Sequence, residues 1–217
     1  MTPILDHRAF IFENTDWVHP PLVPEIRLRL AHEAIPIWQN TEEELGYIGL
    51  SPPFWAFAWA GGQALARFIL DNPNLVKAKS CVDLASGSGL VGIAAAKAGA
   101  SNILAVDIDD FAISAIAINA AGNNVELTCS GENLLDGNWP DTEFVLIGDL
   151  FYEKTTAQKA LNWAQKAQEK GVEVLVGDPN RAYFPTYLFE KLHEYSVPVS
   201  RELEDSEIKR TAVWRLK

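Results

Sequence analysis

The sequence predicts an α/β protein built on a mostly parallel sheet, and three observations support this. From residue 80 to about residue 178, strand-like apolar runs alternate with helical runs at intervals that suit right-handed parallel crossovers. The first of these strands runs into a glycine turn, "CVDLASGSGLVG" (Cys81 to Gly92), of the kind that opens a helix beneath a ligand. The last two strand-like segments, "EYSVPVSREL" and "IKRTAVWRL", are joined by a connector too short for a crossover helix, so they should pair antiparallel.

Bulk properties agree with one globular domain. A chain of 217 residues can bury a sizeable core, and its 48% hydrophobic and 22% charged content is ordinary for such a domain. The formal net charge of −11 argues against a general nucleic-acid binder, because phosphate contacts need Lys and Arg. It suits a basic or lysine-bearing partner, and equally an acidic surface that only keeps the protein dissolved. No apolar run approaches the ~18–20 residues of a membrane span. The N-terminal "MTPILDHRAFIFENTD" lacks a signal or transit pattern, so a cytoplasmic location is expected. The sequence leaves the oligomeric state open, with a monomer favoured.

Taken in order, the N-terminal part is the least regular. In "HPPLVPEIRLRLAHEAIPIW", Ile26, Leu28 and Leu30 alternate with Arg27 and Arg29 as in a strand, while Pro24 supplies a helix start; a short helix is expected. "QNTEEELGYIGLSPP" reads as a loop with an acidic turn. "FWAFAWAGGQALARFILDNP" becomes helical from about Trp59 and is limited by Pro73. Then come strand "SCVDLA", a small-residue helix "GLVGIAAAKAGA" ending near Gly99, strand "NILAVDID", and helix "DFAISAIAINAAGN" with Gly122 and Asn123 at its end. Strands "VELTCSG" and "TEFVLIGDLFY" follow, then the amphipathic helix "KTTAQKALNWAQKAQEKG" closed by Gly171, then strand "VEVLVGDP".

The two cysteines, Cys81 and Cys129, both fall on strands. If the first three strands lie in the order 3-2-1, the two are roughly 9–10 Å apart at ~4.8 Å per strand, beyond disulfide reach. Free thiols are expected. His7, His19, His32 and His193 are scattered and no CxxC is present, so no structural zinc is expected.

Gly87, Gly89 and Gly92 read G-x-G-x-x-G, the spacing usually given to dinucleotide sites. Asp83 does not suit that reading. A carboxylate one turn from a diphosphate would repel it, but it would stabilise a cation. S-adenosylmethionine carries a sulfonium and an ammonium and no phosphate, so the acid favours that methyl donor over NAD. Asp107, twenty residues after Gly87, ends the second strand, where a carboxylate can accept from both ribose hydroxyls of either cofactor. Ser86 and Ser88 do not form a G-x-S-x-G elbow, because Ala85 and Gly87 flank Ser86.

"VDLASGSG" with "AVDID" resembles the seven-strand, class I methyltransferases. The resemblance implies a three-layer Rossmann-like fold with a mixed sheet of order 3-2-1-4-5-7-6, strand 7 antiparallel, and S-adenosylmethionine as cofactor. "PEIRLRL" (24–30), the 54–73 segment, "GDLFYE" (148–153), "GDPNR" (177–181) and "TAVWRL" (211–216) narrow this further. Together they resemble the lysine methyltransferase family of the electron-transfer flavoprotein β-subunit, over about residues 14–217. The sequence departs from relatives at Ala60, often proline, and at Ala85, often glycine; both changes are conservative for a tight turn. The reading is one methyltransferase domain, 1–217. Residues 1–55 form a substrate-side extension and 56–217 the catalytic core.

The resemblance also implies roles. Asp83, Ala85, Gly87 and Gly89 would floor the methionine part of the donor, Asp107 would hold the ribose, and Ile108 would lie beside the adenine. Asn133 would meet the adenine amino group or be an ordinary turn residue. Trp59 would pack on the donor or be a core aromatic, while Trp55 reads as core or substrate channel. Asp149 and Tyr152, after the fourth strand, would orient the substrate amine, with Asp149 also near the donor. Asp178 and Arg181 could pair as a structural turn or contact the substrate. The implied activity is protein-lysine N-methylation of the flavoprotein β-subunit. The alternatives are another target, such as a ribosomal protein or a small amine like nicotinamide, or a module that binds the cofactor without chemistry.

Overall fold

The computed structural model describes residues 6–31, 52–137, 139–199 and 207–217. The loop expected over 39–53 lies outside these, apart from its last two residues. The chain opens with helix α1 (His7–Asn14), whose first turn is capped by the Asp6 carboxylate, and a small hairpin of β1 (Asp16–Val18) and β2 (Leu28–Leu30). The helix expected from Pro24 is therefore not formed. Pro24 sits in a turn, and the alternating Leu28-Arg29-Leu30 run is a strand.

Non-local partners decide that outcome. On helix α4 (Asp110–Gly122) Asn119 accepts the Arg29 backbone N–H at 2.6 Å, and Asn123, just past the helix, accepts that of Arg27 at 3.1 Å and donates to its carbonyl at 2.6 Å. These bonds stand in for a second strand beside residues 27–29, and a helix there would forfeit them. Ile26, Leu28 and Leu30 are then buried against Ala66, Leu90 and Ile93.

Helix α2 (Ala60–Asp71), with Trp59 at its N-cap, leads to the Rossmann-like part. In order, this holds β3 (Ser80–Leu84), α3 (Leu90–Lys97), β4 (Asn102–Val106), α4, β5 (Thr128–Ser130), β6 (Phe144–Gly148), α5 (Lys154–Glu169), β7 (Glu173–Asp178), β8 (Phe189–Pro198) and β9 (Ile208–Leu216). The sheet is seven-stranded in the order β5-β4-β3-β6-β7-β9-β8, parallel except for β9, as the resemblance to class I methyltransferases implied.

Both faces of the sheet are covered, which is why its strands read as unbroken apolar runs. Val82, Leu84, Val145, Ile147, Val174 and Val176 face α5 through Ala160, Trp163 and Ala164. Cys81, Leu146, Leu175 and Val213 point the other way, towards Ala64, Leu65, Val91 and Ala95 of α2 and α3. Cys81 on β3 and Cys129 on β5 are free thiols with β4 between them. Among the described residues no helix is long and apolar enough to cross a membrane. The parallel strands all end at one edge of the sheet, where open α/β sheets bind ligands.

Candidate active site

Two groups of residues meet at that edge. The first lies over β3 and β4. Ala85, Gly87 and Gly89 have φ of +54°, +55° and +83°, so the chain turns back on itself before α3 begins. Such angles suit glycine; alanine at position 85 holds one at a cost of roughly 1–2 kcal/mol. A side chain at Gly89 would press on Ile116 of α4 at 3.4 Å, so the turn sits close against its neighbour.

Asp83 anchors this turn from below. It is almost fully buried, and its Oδ2 accepts from Ser86 Oγ at 2.5 Å and from the Gly92 backbone N–H at 2.8 Å. Burial pushes its carboxyl up to about 6, and the negative charge of Asp107 adds to this, against the pull of those two hydrogen bonds. Asp83 thus has a structural task, which the sequence reading of it as an electrostatic group did not include. Asp107 follows β4 and accepts from the Gly87 N–H at 2.8 Å and the Asp109 N–H at 3.1 Å; burial raises its carboxyl as well. Ile108 beside it is 73% exposed, an apolar surface held out at the strand edge. The side chains at this cradle are acids, hydroxyls and an apolar platform, a set that suits a cationic, phosphate-free adenosine ligand.

The second group lies over β6 and β7. Asp149 follows β6 in a left-handed conformation, φ +54°, and is buried. Its Oδ2 accepts from the Gly62 N–H at 3.0 Å, in the positive first turn of α2. Its Oδ1 accepts from Arg181 Nε at 3.1 Å and Nη2 at 2.7 Å. Tyr152, half exposed, stands 5.5 Å from the Phe54 ring. Trp59 donates to the Phe54 carbonyl at 2.9 Å and lies 5.9 Å from the Arg181 guanidinium. Trp55 is core, stacked on Phe111 at 5.9 Å. Trp55 borders the glycine turn: a Cβ at Gly87 would lie 3.8 Å from Trp55 Cα.

Asn133 has local partners. Its Oδ1 accepts from the Leu135 N–H at 3.1 Å and its Nδ2 donates to Asp136 at 2.9 Å, so its contacts are those of a turn residue. Arg181 donates its backbone N–H to Asp178 at 2.7 Å, but its guanidinium goes to Asp149. The turn reading of the Asp178–Arg181 pair therefore holds for the backbone only.

Sequence reasoning missed three features. The Gly61–Gly62 pair lets α2 reach the sheet: a side chain at Gly61 would lie 2.2 Å from the Gly177 carbonyl and 2.5 Å from Asp149 Oδ2. The signal was available, since two Gly-Asp dipeptides, Gly148-Asp149 and Gly177-Asp178, end neighbouring strands in register. Asp178 is buried with its Oδ2 lacking a hydrogen-bond partner, and burial pushes its carboxyl up to about 7. Asn119 also donates to the Ser88 carbonyl at 2.8 Å, tying the glycine turn to β2.

Comparison with known proteins agrees with this geometry. Residues 64–145 match the family described as Ribosomal protein L11 methyltransferase (PrmA). Among solved structures, ribosomal protein L11 methylase from Lactobacillus delbrueckii subsp. bulgaricus shares the fold, with a TM-score of 0.54 and 20% identity over 74% of this chain and 80% of that one. The electron transfer flavoprotein beta subunit lysine methyltransferase of Xenopus laevis is 37% identical over 95% of this chain and 85% of its own length. The human enzyme of that name is 37% identical over 95% of this chain and 80% of its own length. At that identity across nearly the whole sequence, the chain belongs to the electron transfer flavoprotein beta subunit lysine methyltransferase family.

Proposed function

We propose that this protein is an S-adenosylmethionine-dependent protein-lysine N-methyltransferase acting on the β-subunit of electron-transfer flavoprotein. The observation that carries the reading is the family likeness over 95% of the chain, together with a buried carboxylate and a half-exposed phenol, Asp149 and Tyr152, at the same sheet edge as the acidic glycine cradle. The cradle fits the cofactor by its chemistry. Asp83 would oppose a pyrophosphate and favour a cation, whereas Asp107 suits the ribose of either cofactor. When bound, S-adenosylmethionine supplies a methyl group already activated on a sulfonium.

The chain's own residues then bind and align. Asp107 would accept from ribose hydroxyls, Ile108 would offer its apolar face to the adenine, and Gly87 and Gly89 would let the donor approach the backbone at those two positions. Trp59 closes the side towards α2. Asp149 and Tyr152 orient the amine of the incoming lysine and stabilise the positive charge that grows on its nitrogen. Most of the acceleration comes from alignment. The amine must arrive neutral, because a lysine ammonium has no lone pair. Residues 1–55 are proposed to face the substrate, consistent with Phe54 beside Tyr152 at the rim.

The ribosomal-protein alternative is weaker, since that family's match spans only residues 64–145. The test is incubation with labelled S-adenosylmethionine and recombinant flavoprotein. Label on the β-subunit is expected. Label on a different protein instead would remove the substrate claim and keep the reaction.

A further inference from the structure

The Asp149 carboxylate is not a bare acid. Arg181 holds Oδ1 through two nitrogens, at 3.1 and 2.7 Å, and the α2 N-terminus holds Oδ2 at 3.0 Å. The ion pair is withdrawn from water, with side-chain exposure of 19% for Arg181 and 8% for Asp149. Asn180, at φ +69°, and the bond from the Arg181 N–H to Asp178 turn the chain after β7 so that the guanidinium reaches back to β6. The guanidinium also lies 5.9 Å from the centre of the Trp59 ring.

A lone carboxylate would be a poor host for this reaction. It would stabilise an arriving ammonium and keep its proton on, whereas transfer needs the free amine. We propose that Arg181 is a positioning residue that offsets part of the charge of Asp149, so that the carboxylate can orient the substrate amine without retaining its proton. This rests on the proposed lysine N-methyltransferase reading.

The balance of the step is simple. The lysine ammonium gives its proton to water. The nitrogen lone pair forms the new N–C bond while the C–S bond of the donor breaks and its electron pair stays on sulfur. The product is a methylated ammonium, which must lose a proton to water before any second transfer. Arg181 eases the proton loss, at the expense of some of the pull that Asp149 exerts on the positive charge growing in the transfer step.

Charged groups that face Arg181 include Asp149 at the end of β6 and Asp178 at the end of β7. Asp178 titrates near neutrality, because burial raises it, so its contribution has to be separated. The experiment is the pH profile of kcat, which reports groups in the substrate complex. It uses the full chain with recombinant flavoprotein as acceptor.

In Arg181→Gln the acid limb should move up by about one pH unit or more, with much of the rate recovered at high pH. Arg181→Lys, which keeps the charge, should hold the limb near its original position. Asp178→Asn should leave the limb of the Arg181→Gln profile where it is when the two are combined. Should Arg181→Gln fail to fold, Arg181→Met, which keeps an apolar stem and removes the charge, takes its place, and its limb should move up in the same way. A uniform rate loss at every pH with the limb unmoved would overturn the proposal and leave Arg181 a structural role. A limb that moves with Asp178→Asn and not with Arg181→Gln would overturn it as well. Absence of transfer by the unaltered protein would sink the underlying function and this proposal together; an unmoved limb in an active protein sinks this proposal alone.

Discussion

Alanine at Gly61 and alanine at Gly62 should have opposite effects, although the two glycines are neighbours in the first turn of one helix. A Cβ at Gly61 would lie 2.2 Å from the Gly177 carbonyl and 2.5 Å from Asp149 Oδ2, while one at Gly62 would meet nothing closer than 3.9 Å. Relieving the first clash requires α2 to move by about 1 Å from the edge of β7. Both sides of that contact are backbone, which places the cost near the top of the usual overpacking range, about 3 kcal/mol. Alanine in place of glycine in a helix returns up to ~1 kcal/mol at either position. Gly61→Ala should therefore lose about 2 kcal/mol, and Gly62→Ala should gain up to ~1 kcal/mol. For a chain of this size, a gap of ~3 kcal/mol separates the two melting temperatures by ~6–12 °C. Thermal and urea denaturation of the two variants, with a transfer assay in parallel, reads the difference. Gly61→Ala should also lose transfer beyond its loss of folded protein, because the new methyl displaces Asp149. Equal stabilities would refute the argument that the glycine pair exists to bring α2 onto the sheet.

Three other outcomes can be measured. Asn119→Ala strands the Arg29 N–H and the Ser88 carbonyl, both buried, at ~1–3 kcal/mol each; urea unfolding should show a loss of at least ~2 kcal/mol, and a loss below ~1 would contradict the bridge. Between pH 5 and 7.5 the stability should fall as pH rises. Asp83 and Asp178 have carboxyls raised to about 6 and about 7, above the unfolded value near 4, so the native state holds protons that the unfolded state has released. The lowered carboxyls of Glu25, Glu143 and Glu153 act only at lower pH, and Asp178→Asn should flatten the upper part of the slope. Asp107→Ala should weaken S-adenosylmethionine binding by ~10-fold or more in a calorimetric titration; NAD binding by the unaltered protein without S-adenosylmethionine binding would reverse the electrostatic argument.

The sheet was legible in the sequence because each of its elements carries its own local signal. Apolar runs, glycine stops and the Pro73 limit mark strands and helices without reference to anything distant. The short tail connector even gave the antiparallel pairing of β8 and β9. Residues 24–30 were misread because their fate is set from outside the segment. Pro24 gave a helix signal, but Asn119 and Asn123, some ninety residues on, offer the backbone a better arrangement. The same limit applies at the site. Asp83 and Asp107 could be placed from the strand-turn-helix pattern alone, yet that Asp83 would bond inward to Ser86 and Gly92 depends on the turn's three-dimensional course. Arg181 was visible as a charge beside Asp178. That its side chain reaches across to β6 follows from a left-handed Asn180, which the sequence does not announce.

The central claim is that this sheet-edge site delivers methyl groups to lysine on one protein. Intact-mass measurement of both flavoprotein subunits after reaction tests it most directly, with the unaltered protein and with Asp149→Ala. The β-subunit should gain mass in whole methyl increments only with the unaltered protein, and the α-subunit should not change. An unchanged β-subunit after reaction with a protein that demonstrably binds S-adenosylmethionine, or full methylation by Asp149→Ala, would contradict the account.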